Sequence, residues 1–217
     1  MAPTRPPRTP RQRTPSLEVE GSIVDAAARI IGQEGTHAVT VRRLAAEADV
    51  SPMSIYNRFG DMHGVFDAVL VRGFTEFATA LGHGTDARDP LSRLIDMGRA
   101  YRTFALDNRD LYSFMFLRSL DDIELSADAA VAAARAFDAL FEAVQRLLES
   151  GVFRSGNASV VAQSIWATCH GAVALELLGM SDFADTDETY ESLMTTLLRG
   201  LVADPDSIVE VGGRRPT

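Results

Sequence analysis

Apolar residues recur at intervals of three and four along nearly the whole chain, and nowhere do they alternate singly as a half-buried strand requires. Ile23, Ala26, Ala27, Ile30 and Ile31 outline a first helix, which Gly35 is placed to close in a left-handed turn. Residues 40–59 then read as two short helices about a tight turn. Val41, Leu44, Ala45, Ala48, Val50, Ile55 and Phe59 supply their small core, while Ser51, Met53, Ser54, Tyr56, Asn57 and Arg58 are left facing outward. Val65, Phe66, Val69, Leu70, Phe74, Phe77 and Leu81 carry a longer helix up to the break at Gly82-His83-Gly84. Beyond Pro90 the pattern predicts helices over 91–106, 111–117, 127–149, 158–179 and 187–203. The expected fold is all-α: an N-terminal three-helix helix-turn-helix domain followed by a C-terminal helical domain.

Local chemistry supports the boundaries of the short pair. Thr40 and Ser51 are preferred N-caps, Pro52 sits at the first helical position where its missing N–H costs nothing, and Asp49 tolerates a sharp turn. Asp61 is placed to cap the helix that follows. The second short helix keeps too few apolar residues to be a buried one, and an outward face of this kind suits a DNA major groove. Residues 111–117, by contrast, are apolar nearly all round, which a helix tolerates only when it is enclosed.

The C-terminal helices raise two questions that spacing leaves open. Val161, Ile165, Thr168, Ala172, Leu175 and Gly179 form one seam, and Tyr190, Leu193, Leu197 and Leu201 a second, with Met194 and Leu198 widening it. Both seams fit a four-helix interface between two copies, and both also fit stripes turned to the protomer's own core. Tyr101, Phe104, Tyr112, Met115, Phe116, Phe137, Leu140, Phe141, Trp166 and His170 form a pool of aromatic and soft side chains, either the wall of an apolar ligand pocket or ordinary core. Trp166 and His170, four residues apart, share a helix face, and Gly171 beside them would admit a close neighbour. His170 reads either as a polar contact to a ligand or as a hydrogen-bonded core residue.

The segments Thr40-Val-Arg-Arg-Leu-Ala45 and Ile55-Tyr-Asn-Arg-Phe59 resemble the N-terminal domain of the tetracycline-repressor (TetR) family of bacterial regulators, over Ser22 to about Leu70. The resemblance implies that Arg42 reaches DNA from the first short helix, near its cap Thr40. It also implies that Ser51, Met53, Ser54, Tyr56, Asn57 and Arg58 lie at or near the groove. Family members commonly have Gly at the turn, His before the final Phe and Lys three residues after it; here these are Asp49, Arg58 and Met62, which removes a phosphate contact at 62 and leaves Arg58 to replace it in part. Downstream, Trp166-Ala-Thr-Cys-His170-Gly171 resembles the Trp-x-x-x-His-Gly motif of one C-terminal subgroup, and Tyr101 to Phe116 looks like the same subgroup. By that likeness the two seams form a homodimer interface, and a small apolar or aromatic effector is held by Tyr101, Phe104, Tyr112, Met115, Phe116, Phe137, Phe141, Trp166 and His170.

Charge and composition bound this picture. The net charge is −9 over 217 residues, but residues 1–15 carry Arg5, Arg8, Arg11 and Arg13 and no acid. Residues 36–63 are neutral, with Arg42, Arg43 and Arg58 against Glu47, Asp49 and Asp61, so attraction to DNA is expected to be modest and local. The arm either adds phosphate or minor-groove contacts or is a disordered tail. A lone Cys169 excludes an internal disulfide, and no N-terminal apolar stretch suggests export or a membrane span, which points to the cytoplasm. Enzyme chemistry finds little support: Cys169 and His170 point about 100° apart on a helix, and His37, His63, His83 and His170 lack metal-ligand spacing. No Gly-rich phosphate loop occurs, and Asp121, Asp122 and Glu124 read as a solvated loop. No catalytic residue, metal or cofactor is expected.

The resulting expectation is an arm over 1–15, a DNA-binding domain over 16–62, an effector-binding and dimerisation domain over 63–204 and a loose tail over 205–217. The partners would be a palindromic double-stranded operator, a second copy and a small effector that releases DNA. The alternatives are an activator or ligand-independent regulator, and a helical ligand carrier or enzyme with a vestigial helix-turn-helix.

Overall fold

A computed structural model describes residues 16–82, 89–117, 126–181 and 185–208. The N-terminal arm, the break after Gly82, the acidic run 121–124 and the chain from 209 onward lie outside the described residues. Among the described residues the protein is all-α, with one isolated antiparallel bridge between Phe153 and Val202.

Helix α1 (Ser16–Glu34) buries Ile23, Ala26, Ala27, Ile30 and Ile31 on one face. Gly35 ends it with φ 91° and ψ 171°, a region that only glycine enters readily, so the exit is extended rather than the left-handed turn expected from sequence. Helices α2 (Val41–Glu47) and α3 (Pro52–Phe59) follow, then α4 (Met62–Gly82), whose first turn Asp61 caps by accepting from the Gly64 N–H at 3.0 Å. Helix α4 runs out of the N-terminal module into the second half of the molecule, burying Val65, Val69 and Leu70 near one end and Phe74, Phe77 and Leu81 toward the other.

The second half contains α5 (Pro90–Asp107), the single turn α6 (Arg109–Tyr112), α7 (Ala127–Glu149), α8 (Ala158–Leu177) and α9 (Thr186–Leu201). Residues 111–117 are not one regular helix: α6 passes into a π-helical turn over Ser113–Leu117. The wider turn redirects the bulky side chains that follow one another here, and Tyr112, Phe114 and Met115 are all buried. This segment lies tightly against both α1 and α4. A Cβ on Gly73 would stand 2.7 Å from the Met115 sulfur, and Asp110 leaves no room for a side chain on Gly32. Pro205–Ile208, expected as tail, forms a short 3-10 turn.

Of the two expected seams, Ile165 and Tyr190 turn inward. Ile165 is buried, and the buried Tyr190 donates its hydroxyl proton to the Gly98 carbonyl at 2.6 Å. Helix α8 is apolar around most of its circumference, so spacing alone could not tell which stripe faces inward. Gly171 faces open space, and the close approach it was expected to permit is not made within the protomer. A largely buried ion pair ties the helix ends together: Arg102 of α5 donates to Glu176 of α8 at 2.8 and 2.7 Å, pairs with Asp187 of α9 at 2.6 Å and covers the Tyr190 ring. Hydrogen bonding from Arg102 holds the Glu176 carboxyl below the usual carboxylate range.

Candidate DNA-reading face and effector cavity

The reading unit is built on caps. Thr40, extended at φ −115° and ψ 150°, accepts from the Arg43 N–H at 3.3 Å to start α2. Asp49, at φ 50°, supplies the left-handed residue of the turn. Ser51 accepts from the Ser54 N–H at 3.2 Å, Pro52 opens α3, and Gly60 at φ 76° ends it. The single buried residue of α3 is Ile55, at 0% exposure, so the helix is anchored along one line and open elsewhere. Met53 is 64% and Tyr56 48% exposed, with Asn57 exposed beside them.

The cations of the unit are used unequally. Arg43 is engaged in a two-pronged pair with Glu34 of α1, whereas Arg42 is exposed and enters no ion pair among the described residues. Arg58 is half-buried; its Nη1 donates to the Ser54 carbonyl of its own helix at 3.2 Å, and its Nε is buried without a partner. Ser54 is half-buried too, its hydroxyl 3.0 Å from that of Ser51. The outward ridge expected from Met53 to Arg58 is therefore led by Met53, Tyr56 and Asn57, and Arg42 of α2 is exposed as well. Met62, where a Lys was noted as usual, packs partly buried against the core.

In the second half a cavity of about 30 Å³ opens between α4, α5, α7 and α8. Its wall is Phe77, Leu81, Leu94, Met97, Gly98, Tyr101, Ala136, Leu140, Ile165, Trp166 and Cys169. Of the nine pocket residues named from sequence, Tyr101 and Trp166 reach it. Phe104, Tyr112, Met115, Phe116, Phe137, Phe141 and His170 do not line it. Several of these form a second layer: Phe104 contacts Phe77 at 5.1 Å between ring centroids, Phe137 contacts Trp166 at 5.1 Å, and Phe116 touches both Phe77 and Trp166. The aliphatic wall was missed because leucine, alanine and isoleucine at helical spacing look the same beside a cavity as in solid core. Only Leu140 among them belongs to the pool of aromatic and soft side chains.

One polar cluster stands behind the wall. The Tyr101 and Tyr112 hydroxyls are 2.7 Å apart, and His170 Nδ1 lies 3.0 Å from the first and 2.9 Å from the second. Burial pushes both phenols well above their ordinary range and lowers the imidazole. All three are therefore neutral near pH 7. Cys169 is buried and its thiol is pushed up, as befits an inert core residue rather than a nucleophile. Among the described residues no His, Cys, Asp and Glu group could hold a metal ion.

A capped helix-turn-helix with an open second helix, joined by a continuous helix to an all-helical body, defines a helix-turn-helix transcriptional regulator. Residues 23–69 match the family model for bacterial regulatory proteins of the tetR family, and 94–197 match that for the tetracyclin repressor-like C-terminal domain; the chain belongs to the TetR family. An uncharacterized HTH-type transcriptional regulator of Mycobacterium tuberculosis, Rv0681, is 28% identical over 182 residues, covering 83% of this chain and 80% of that protein. A solved protein of unknown function from Rhodococcus sp. RHA1 superposes with a TM-score of 0.78 at 25% identity, covering 90% of this chain and all of that one. The regulator FadR from Bacillus subtilis, solved in complex with stearoyl-CoA, gives a TM-score of 0.71 at 18% identity over 83% of this chain and 98% of that one. A likeness of this last degree carries the fold and no more.

Proposed function

We propose that the protein is a ligand-controlled repressor that binds a partly palindromic operator as a homodimer and releases it when a small apolar or aromatic effector enters the cavity. The observation that carries this reading is the one-line anchoring of α3, which leaves Met53, Tyr56 and Asn57 exposed, with Arg42 of α2 exposed as well and in no ion pair among the described residues. Two such helices, one per protomer, would enter successive major grooves about 34–36 Å apart. The dimer reading is supported by the outer faces of α8 and α9. Helix α8 is apolar enough along its length to cross a membrane, yet only 22% of that stretch is buried in the protomer. Val160, Leu175, Leu178 and Leu193 stand exposed on the two helices and the turn after α8. Val161, Thr168, Ala172, Leu197 and Leu201, all half-buried, remain available to the same face. A second copy covering it would remove this apolar surface from water.

Effector control is supported by how the cavity connects to the reading unit. Tyr112 and Phe116, which back the wall, belong to the segment whose Asp110 and Met115 press on Gly32 of α1 and Gly73 of α4. At about 30 Å³ the cavity is near closed, so a ligand must prise the wall outward and prefers a state in which this segment has moved. Mobility-shift titration with the DNA upstream of the protein's own gene tests the reading. The wild type is expected to bind as a dimer, and Arg42→Ala to lose about 1–3 kcal/mol of affinity with weakened sequence preference. Absence of a bound duplex at low salt, or a monomer by sedimentation velocity, would overturn it.

A further inference from the structure

Three polar atoms in mutual contact need three protons to make three hydrogen bonds, and the Tyr101–Tyr112–His170 cluster cannot supply them in a closed ring. With the imidazole proton on Nε2, two phenol protons serve three contacts and one contact is left without a proton. With the proton on Nδ1, that nitrogen donates to one phenol, which donates to the other, whose own proton then finds no acceptor in the ring. With the proton on Nδ1 one phenol proton is free for an outside acceptor, and with it on Nε2 one phenol can be redirected at the cost of one of the two bonds while the other stays in place. Tyr101 is the member whose side chain also lines the cavity.

The wall offers no full charge. Among the described residues lining it there is no Asp, Glu, Arg or His, and the Arg102 of α5 that neighbours the wall is already paired with Glu176 of α8 and Asp187 of α9. Among the described residues His170 lies against two phenols and the Phe116 ring, its Nδ1 is already engaged by both hydroxyls, and burial disfavours its charged form, so it is no ready counter-ion for an acid. An ionised group brought into this wall would be desolvated with no charge to compensate it, whereas a neutral group would find a phenol that can be turned to it.

We propose that the cavity takes an uncharged effector, an apolar body bearing one neutral hydrogen-bonding group such as a phenol, alcohol or ketone, which is gripped by the Tyr101 hydroxyl. This rests on the effector-controlled reading above and adds the chemistry of the ligand. It sets the site apart from one that takes fatty acids, acyl phosphates or cationic drugs. Met97, a flexible thioether in the wall, is the side chain best able to give way as the body enters.

Trp166, the chain's one tryptophan, lines the cavity and reports on it. The experiment titrates full-length protein with four matched probes, 4-propylphenol, propylbenzene, 4-propylbenzoate and (4-propylphenyl)trimethylammonium, reading Trp166 fluorescence and melting temperature. The phenol is expected to bind at least about tenfold tighter than the hydrocarbon and than either ion, the worth of one buried hydrogen bond. Tyr101→Phe, which keeps the ring, should erase the phenol's advantage over propylbenzene and leave propylbenzene itself unchanged. A merely structural cluster would instead lower the melting temperature with the ratio intact. Equal binding of benzoate or the ammonium, no binding of the phenol, or an unchanged ratio in the variant would each overturn the inference. If Tyr101→Phe does not fold by circular dichroism, the order of the four probes on wild type decides. Operator binding by the ligand-free protein is scored in the same preparation: its loss overturns the regulator reading, while its presence with the wrong probe order overturns the inference alone.

Discussion

On α3, Tyr56 stands nearly half exposed from a helix whose one fully buried residue is Ile55, whereas on α6 Tyr112 is wholly enclosed by Tyr101, Phe116 and His170. The two tyrosines belong to regions built on opposite terms. In the reading module, caps and a turn residue position a few side chains that bury little, so its shape is set locally and its surface is free for a partner. In the second half the aromatic residues are the structure: Phe77 alone contacts Tyr101, Phe104 and Phe116. A change to an aromatic residue should therefore affect binding in one region and stability in the other.

The largest expected effect is on the second region. Phe77→Ala removes the ring at the centre of that cluster and should cost about 3–5 kcal/mol of stability, read from urea unfolding. Tyr56→Ala should leave stability within about 0.5 kcal/mol and weaken binding to every duplex tested, as loss of a backbone contact would. If Tyr56→Ala proved the more destabilising of the two, the contrast between the regions would be lost.

The same contrast explains what the sequence made legible. Thr40, Asp49, Ser51, Pro52 and Asp61 act within three residues of themselves, and each was readable as a cap or turn before any fold was known. The side chains of Arg43 and Arg58 were not, because one is claimed by Glu34 from another helix and the other folds onto its own. In the second half the helices were legible from periodicity, with ends displaced by a residue or two, except over 111–117, where α6 passes into a π-helical turn. Which faces meet was not. Ile165 and Tyr190 sit on the expected seams, yet α5 and its neighbours draw them inward, and the cavity wall is chosen by four helices at once. Helical spacing reports that a face is apolar; it carries no address for the partner.

A smaller effect sharpens the local side of the comparison. Ser51→Ala removes the acceptor for the Ser54 N–H and should cost about 1 kcal/mol, confined to the start of α3. Hydrogen exchange should show faster exchange at the first amides of α3 with α5 and α8 unchanged. Equal acceleration in the second half would mean that the two regions unfold as one unit and that the module's stability is not set locally.

The smallest effect concerns His170 and the packed side of the comparison. Burial lowers its pKa below that of the unfolded chain, with no charged group among the described residues facing it: its neighbours are Tyr101, Tyr112 and Phe116. As pH falls through about 6.5, the unfolded chain takes up the proton before the folded one, so the contribution present above that pH is lost progressively toward the folded-state value. The melting temperature should accordingly decline between pH 7 and 5.5, above the range in which Glu176 and Glu191, both lowered by hydrogen bonds from arginine, begin to matter. His170→Gln should flatten that decline. An identical pH slope in His170→Gln and wild type would show that the imbalance in protons lies elsewhere, and that the cluster behind the cavity is less enclosed than its packing implies.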